Sequence, residues 1–273
     1  LGGATSIRGD SGTIAITNAG SITGAFDLTL GGAQGGSLAS IVATSSGKLN
    51  KQDGGTWTLS GTNSYTGITT ISGGILAIST DRNLGAVPGS STAASITLSG
   101  GTLQAIGLTG ETSANVVALH SNRGITLTTD GSGLAATTTT TAGTTYMNQL
   151  KVAKGIIGAY SLSINGASQG GVVVLNGDNT YGHSSKTTSI VAGELQLAGT
   201  ATLSTTQKID IATGAVLRDS SSATIVLTGV VSGGGSIVKD TSSSTLTFNN
   251  TAANTFSGGL TVATGDVYLG HSQ

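Results

Sequence analysis

The sequence predicts an all-β chain wound as a parallel β-helix, a single elongated rod. Three observations carry that expectation. Apolar residues recur at every second position from Ile14 to Leu269, the period of a half-buried strand whose successive side chains face opposite ways. The strands are short and separated by corners rich in Gly, Asn and Ser. A strand–bend–strand unit also recurs at least three times. One such unit has too little core to stand alone, so copies must stack, and repetition with insertions between copies is the mark of a solenoid.

The unit is plainest at Gly54–Thr80. There Trp57-Thr58-Leu59-Ser60 and Leu76-Ala77-Ile78-Ser79 flank the bend Asn63-Ser64-Tyr65-Thr66-Gly67. A second copy runs through Val173-Val174-Leu175, Asn179-Thr180-Tyr181-Gly182 and Glu194-Leu195-Gln196-Leu197, with extra residues after its Gly. The third is Leu246-Thr247-Phe248, Asn254-Thr255-Phe256-Ser257-Gly258 and Asp266-Val267-Tyr268-Leu269. The whole chain, residues 1–273, reads as one solenoid domain with copies near 48–79, 172–198 and 236–270. The repeat corners Asn63, Tyr65, Gly67, Asn179, Tyr181, Gly182, Asn254, Phe256 and Gly258 are its structural sites, with the three aromatic rings expected at equivalent bends against the aliphatic interior.

The remaining segments fit the same pattern in order. Ile14/Ile16, Leu28/Leu30 and Ile41 alternate ahead of the first copy. Asn83-Leu84-Gly85-Ala86-Val87-Pro88-Gly89 is a turn or lateral loop, since Pro-Gly punctuates a chain strongly. Ile96/Leu98, Ile125/Leu127, Leu162/Ile164, Ile209/Ile211, Ile225/Leu227 and Leu260/Val262 resume the alternation. The five threonines Thr137–Thr141 and the irregular stretch from Gly143 to Gly158 read as strand with a protruding loop. Coils of roughly 20–25 residues give on the order of twelve rungs about 4.8 Å apart, a rod of about 60 Å. Asn165-Gly166 and Asn176-Gly177 are hairpin signals that keep a sandwich or barrel as the alternative.

Composition narrows function. Only 8% of residues are charged and the net charge is −1, so nothing draws the chain to nucleic acid or an anionic membrane. Lys48, Lys51, Lys151 and Lys154 are scattered pairs rather than a basic stripe. With no cysteine, disulfides, thiolate metal sites and cysteine catalysis are excluded together. No apolar run is long enough to span a membrane, and Leu1-Gly2-Gly3-Ala4 is not a signal peptide, so membrane insertion by this chain is not expected.

The Gly54–Thr80 stretch closely resembles the autotransporter-associated β-strand repeat of bacterial passenger domains. Its matching residues are Gly55, Trp57, Leu59, Gly61, Asn63, Tyr65, Gly67, Thr69, Ile71, Gly74 and Leu76. The second copy departs in spacing, and the third has Phe256 in place of the Tyr. The resemblance implies a right-handed parallel β-helix at the bacterial cell surface or beyond. It marks architecture and supplies no catalytic residue. The family's C-terminal membrane barrel has no counterpart in this sequence.

Candidate chemistry is thin. Gly166-Ala167-Ser168-Gln169-Gly170 fits the nucleophile-elbow spacing, but a strand follows where a helix is required. Gly9-Asp10-Ser11-Gly12 resembles a serine-protease nucleophile segment, yet His120, His183 and His271 lie in no partner motif. Arg8-Gly9-Asp10 is a cell-attachment tripeptide that reads first as a plain turn. Asp53, Asp178 and Asp240 occupy comparable corners, where solvation explains them better than a stacked calcium or acid/base cluster. The expectation is a non-catalytic extracellular or surface β-solenoid without cofactor or metal, serving as stalk, adhesin or self-assembling fibre subunit. Its partners would be a host, matrix or neighbouring cell surface, or identical subunits stacked head-to-tail. A polysaccharide-processing enzyme on the same fold is the alternative.

Overall fold

The structure, a computed structural model, describes residues 1–273 apart from 109, 167–168, 205 and 271–273. The chain is a parallel β-solenoid of about twelve coils. Each coil visits three faces in the same order. The first face stacks Thr5–Arg8, Leu28–Gly31, Leu49–Lys51, Thr69–Ile71, Thr92–Leu98, Arg123–Leu127 and Ile156–Ile157. The second is a ten-stranded sheet running from Ile14–Ile16 through Thr56–Leu59 and Ile75–Ile78 to Val231–Ser232. The third begins with Ser21–Thr23 and Ile41–Ala43. It is a continuous ladder from Val116–Leu119 through Gln149–Val152, Val172–Leu175, Glu194–Gly199 and Val216–Ser221 to Ser236–Phe248. The last two strands, Ser236–Phe248 and Leu260–Leu269, bend from the third face onto the first, with register shifts between Lys239 and Thr245.

Two-residue alternation becomes columns. Because neighbouring strands are parallel and in register, an inward residue meets the inward residue one coil on. On the second face Trp57, Leu76, Leu103, Leu134, Ile164, Ile190 and Ile211 form one such column. Each is at most 1% exposed. Trp57 fits beside Gly36, its register partner, and its Nε1 donates to Gly31 O at 2.8 Å. Burial of side chains of this size contributes about 1.5–3 kcal/mol each, which is what holds an almost uncharged chain closed.

The sandwich and barrel alternatives fail on strand direction. Among the described residues one pair of strands is antiparallel, Thr138–Thr141 with Thr144–Met147, and it stands off the coil. Neither Asn-Gly pair makes a hairpin. Asn165 instead takes φ 52° and is fully buried. Its Oδ1 accepts the Ala136 N–H at 2.8 Å, and its Nδ2 donates to Gly171 O and Ala192 O.

The columns have polar exceptions that composition did not show. Lys51 occupies the inward column between Leu30 and Ile71 and is fully buried. Its Nζ donates to Gln52 O (2.7 Å), Asp53 O (2.9 Å) and Gly73 O (2.9 Å). Three N–H donors meet three corner carbonyls that no strand could pair. Burial lowers the ammonium pKa to about 8, against an opposing pull from the Asp53 carboxylate. Below that pH the group is charged folded and unfolded alike, and the burial penalty is present in full. Between about 8 and the unfolded value near 10.4 the unfolded chain binds the proton more tightly, so stability rises with pH. In urea unfolding the wild type should therefore gain on Lys51→Met between pH 8 and 10, by up to about 1.4 kcal/mol per unit. A constant difference between the two would show that the ammonium keeps its ordinary affinity for the proton.

Candidate interaction surface

The repeat corners show how the coil turns. In each copy the Asn carboxamide oxygen accepts a backbone N–H from the preceding coil. Asn63 takes Val42 N (2.7 Å), Asn179 takes Ile156 N (3.1 Å) and Asn254 takes Val231 N (2.9 Å). The amide nitrogen of Asn63 donates onward to Asn83 O, and that of Asn179 to Thr202 O. A carboxamide thus replaces the ladder where strand geometry lapses. The aromatic two residues later points inward. Tyr65 and Tyr181 are buried, with hydroxyls against Thr69 Oγ1 (2.7 Å) and Thr188 Oγ1 (3.0 Å). Burial raises both phenol pKa values, so neither tyrosine ionises near neutral pH. The glycine after the ring admits close approach: a Cβ on Gly67 would lie 2.3 Å from Gly47 O, and one on Gly258 would lie 2.4 Å from Gly235 O. Gly182 takes φ 76°.

These corners share a local pattern and occupy different edges of the rod. The first copy leaves and rejoins the second face, where Thr56–Leu59 pairs with Ile75–Ile78. The second does so on the third face, and the last on the first. One repeat is therefore one full coil, and each copy starts one face further round. Phe256 differs again. It lies on the last coil, half-buried, its ring stacked on Phe248 at 6.1 Å. An apolar cleft of about 300 Å³ opens there between Phe248, Asn254, Phe256, Leu260 and Leu269.

The candidate reactive residues are not brought together. Arg8 is engaged by Asp10 (3.1 Å) and Asp53 (2.8 Å), so the Arg8-Gly9-Asp10 corner pairs its own charges. The Asp53 carboxyl is held below its usual range by the Gly32 N–H, with Arg8 adding to the effect. Asp178 accepts from Thr202 Oγ1 (3.0 Å) on the neighbouring coil. On the outer side of the third face Arg218 bridges Glu194 and Asp240 at 2.8 Å each, and Ser220 donates to Asp240 at 2.6 Å. Burial pushes the Asp240 pKa up, but Ser220 and Arg218 outweigh it and the net shift is downward. The Asp240 carboxylate, kept ionised by these partners, is a poor proton donor. His120 and His183 bond locally, to Asn122 N and Ser185 Oγ. Ser168 and His271 lie outside the described residues, and no group of three metal-ligating side chains occurs among those described.

What the alternation did not reveal is a knob on the edge between the second and third faces. On the first face, register partners up to Thr69 are 20–23 residues apart, as in Thr5↔Leu28 and Leu49↔Thr69. The interval then rises to 33 for Val117↔Leu150 and 31 for Leu103↔Leu134, and returns to 22 by Val173↔Leu195. The surplus falls in the 106–115 loop and the Thr138–Met147 hairpin, on successive coils. Asn148, fully buried, clasps them. Its Oδ1 accepts Asn115 N (2.9 Å), and its Nδ2 donates to Thr137 Oγ1 (3.0 Å) and Thr139 Oγ1 (2.9 Å). The knob is threonine-rich, with Leu108 (48%), Val116 (44%) and Met147 (40%) exposed. The five-threonine run is half of a hairpin turning at Ala142-Gly143, both at positive φ, as a tight two-residue turn requires.

Comparison with known proteins adds one family match. The passenger-associated-transport-repeat matches residues 49–78, 168–197 and 241–267. Three segments of this chain, about a third of its length, are similar to that repeat. The matched segments fall on the three coils with an Asn-x-aromatic corner. Over 114 residues the chain is 38% identical to the adhesin BmaC autotransporter of Brucella suis biovar 1 (strain 1330). That stretch is 42% of this chain and 3% of the relative. No solved structure matches.

The corner geometry sets an order of cost. Removing the Asn63 carboxamide leaves the buried Val42 N–H unpaired, so Asn63→Ala should destabilise by about 1–3 kcal/mol. Tyr65→Ala should cost about 3–5 kcal/mol by opening a cavity, and Phe256→Ala, half-exposed on the last coil, less than about 1.5 kcal/mol. Equal losses for the two rings in denaturant melts would contradict the difference in burial.

Proposed function

We propose that this chain is a segment of a surface-exposed or secreted bacterial passenger, a non-catalytic β-solenoid rod that makes adhesive contact through its lateral knob. The observation that carries the reading is the knob itself. Two successive coils depart from an otherwise regular rod on one edge, and their loops are tied together by the buried Asn148. A rod needs no such projection for stiffness, whereas exposed loops on a rigid scaffold are where contacts are made. The resemblance to an adhesin and the transport repeats support the same reading. The knob offers hydroxyls, exposed Leu108 and Met147, and one carboxylate, Glu111, which accepts the Leu108 N–H. Such a surface suits a host, matrix or neighbouring-cell partner met through hydrogen bonds and apolar contact more than through charge.

Beads coated with the chain should attach to epithelial monolayers, matrix-coated glass or bacterial lawns. The triple change Leu108→Glu, Thr140→Glu, Met147→Glu should reduce attachment at least about tenfold, a loss of about 1.4 kcal/mol. The melting temperature should stay within a few degrees, because all three side chains lie on the surface. Undiminished attachment by the folded triple variant would remove the knob from the mechanism. Turnover of any polysaccharide in a degradation panel, abolished by a single Asp→Asn change, would overturn the non-catalytic assignment.

A further inference from the structure

A second polar pair breaks the inner columns, and it differs in kind from Lys51. On the third face one inward column runs Leu119, Val152, Leu175, Leu197, Asp219, Lys239. Four aliphatic coils are followed by a carboxylate and then an ammonium in direct register. Both side chains are almost entirely enclosed, at 1% and 0% exposure, and Lys239 Nζ lies 3.3 Å from Asp219 Oδ2. The pair is not fully satisfied as ions. Asp219 Oδ1 accepts the Ser221 N–H at 3.0 Å, whereas Oδ2 accepts no hydrogen bond. Lys239 Nζ donates to Thr241 O (3.0 Å) and Ser244 Oγ (3.2 Å). Ser244 Oγ in turn donates to Ser221 O at 2.5 Å.

We propose that Asp219 and Lys239 condense to an intramolecular isopeptide bond, a covalent link between two adjacent coils. The hydrogen-bond pattern already fits the product. An amide needs one acceptor for its N–H, which Thr241 O supplies, and one donor for its C=O, which the Ser221 N–H supplies. The atom the reaction removes is Oδ2, the carboxylate oxygen without a hydrogen bond. Separated charges in a dry column are costly, and passing one proton from Nζ to Oδ2 leaves a neutral amine beside a neutral acid. Burial favours the same outcome by raising the Asp219 pKa, against the Ser221 N–H and the Lys239 charge, which lower it.

The steps balance without any co-reactant. The Lys239 amine attacks Asp219 Cγ and the C–N bond forms, while the charge developing on Oδ1 is held by the Ser221 N–H. The nitrogen then gives up a second proton to the Oδ2 hydroxyl, from which Nζ already lies 3.3 Å away. The Cγ–Oδ2 bond breaks and one water leaves. Asp240, next in sequence to Lys239, is turned outward to Arg218 and Ser220 and takes no part.

The test is the intact mass of the purified, fully denatured chain. Condensation lowers it by about 18 Da from the sequence mass. Tryptic digestion should then leave the bond after Lys239 uncut and yield a branched peptide joining the Asp219 and Lys239 segments. Lys239→Arg and Asp219→Ala should restore the full sequence mass of each variant. Asp219→Asn should lose about 17 Da instead, because the same attack then expels ammonia. A wild-type chain at its sequence mass, cut normally after Lys239, would overturn the proposal whatever the variants do. A mass deficit that survives in Lys239→Arg would equally overturn it.

Discussion

The whole structure depends on one constraint: every coil must hand its backbone hydrogen bonds to the coils above and below it. On the three faces parallel ladders do this without help from side chains. At the edges the strand geometry fails, and the exposed N–H and C=O groups need other partners. The chain answers with buried side chains of fixed type. Asn63, Asn179 and Asn254 accept an N–H from the previous coil, Asn165 does the same at a left-handed corner, and Lys51 gathers three carbonyls. The inward columns are otherwise largely aliphatic, with Lys51, Asp219 and Lys239 as charged exceptions.

That division explains what could be read from sequence and what could not. Alternation is a property of single strands, so fold class and strand positions were legible from Ile14 to Leu269. The Asn-x-aromatic corners were legible too, because they repeat. Their places around the rod were not. A three-sided coil gives any face the same period-two pattern, so nothing local distinguishes a copy that starts on the second face from one that starts on the third. The burial of two cations is written in the phase of their strands. Lys51 is two residues after Leu49, and Lys239 two after Ile237, both in the inward phase of their strands. Phase, applied strictly to charged residues, would have placed them inside.

The drift of the repeat from face to face also has a physical reading. Each copy spans one coil and begins one face further round than the last, so the three Asn corners lie at three different edges of the prism. No single edge collects all the polar corner chemistry. A coil in a solenoid touches only its neighbours, and its stability is largely local. Distributing the reinforced corners around the axis leaves no edge of the rod without one.

Locality also accounts for where the knob can sit. An insertion at one edge leaves the ladders of all three faces intact, because register is fixed by strands on either side of the loop. Val117↔Leu150 and Leu150↔Val173 keep the same inward column although one interval is 33 residues and the other 23. Lengthening a loop costs only about 0.6 kcal/mol for each doubling, less than the burial of one further leucine returns. Two successive insertions at one edge are then bonded to each other through Asn148, which makes one projection of two loops. The rod thus sets the direction of the surface it presents, and the inserted residues set its chemistry. Sequence in the inserts can change without disturbing the columns, while a change of phase in any inward column would disturb every coil that stacks on it.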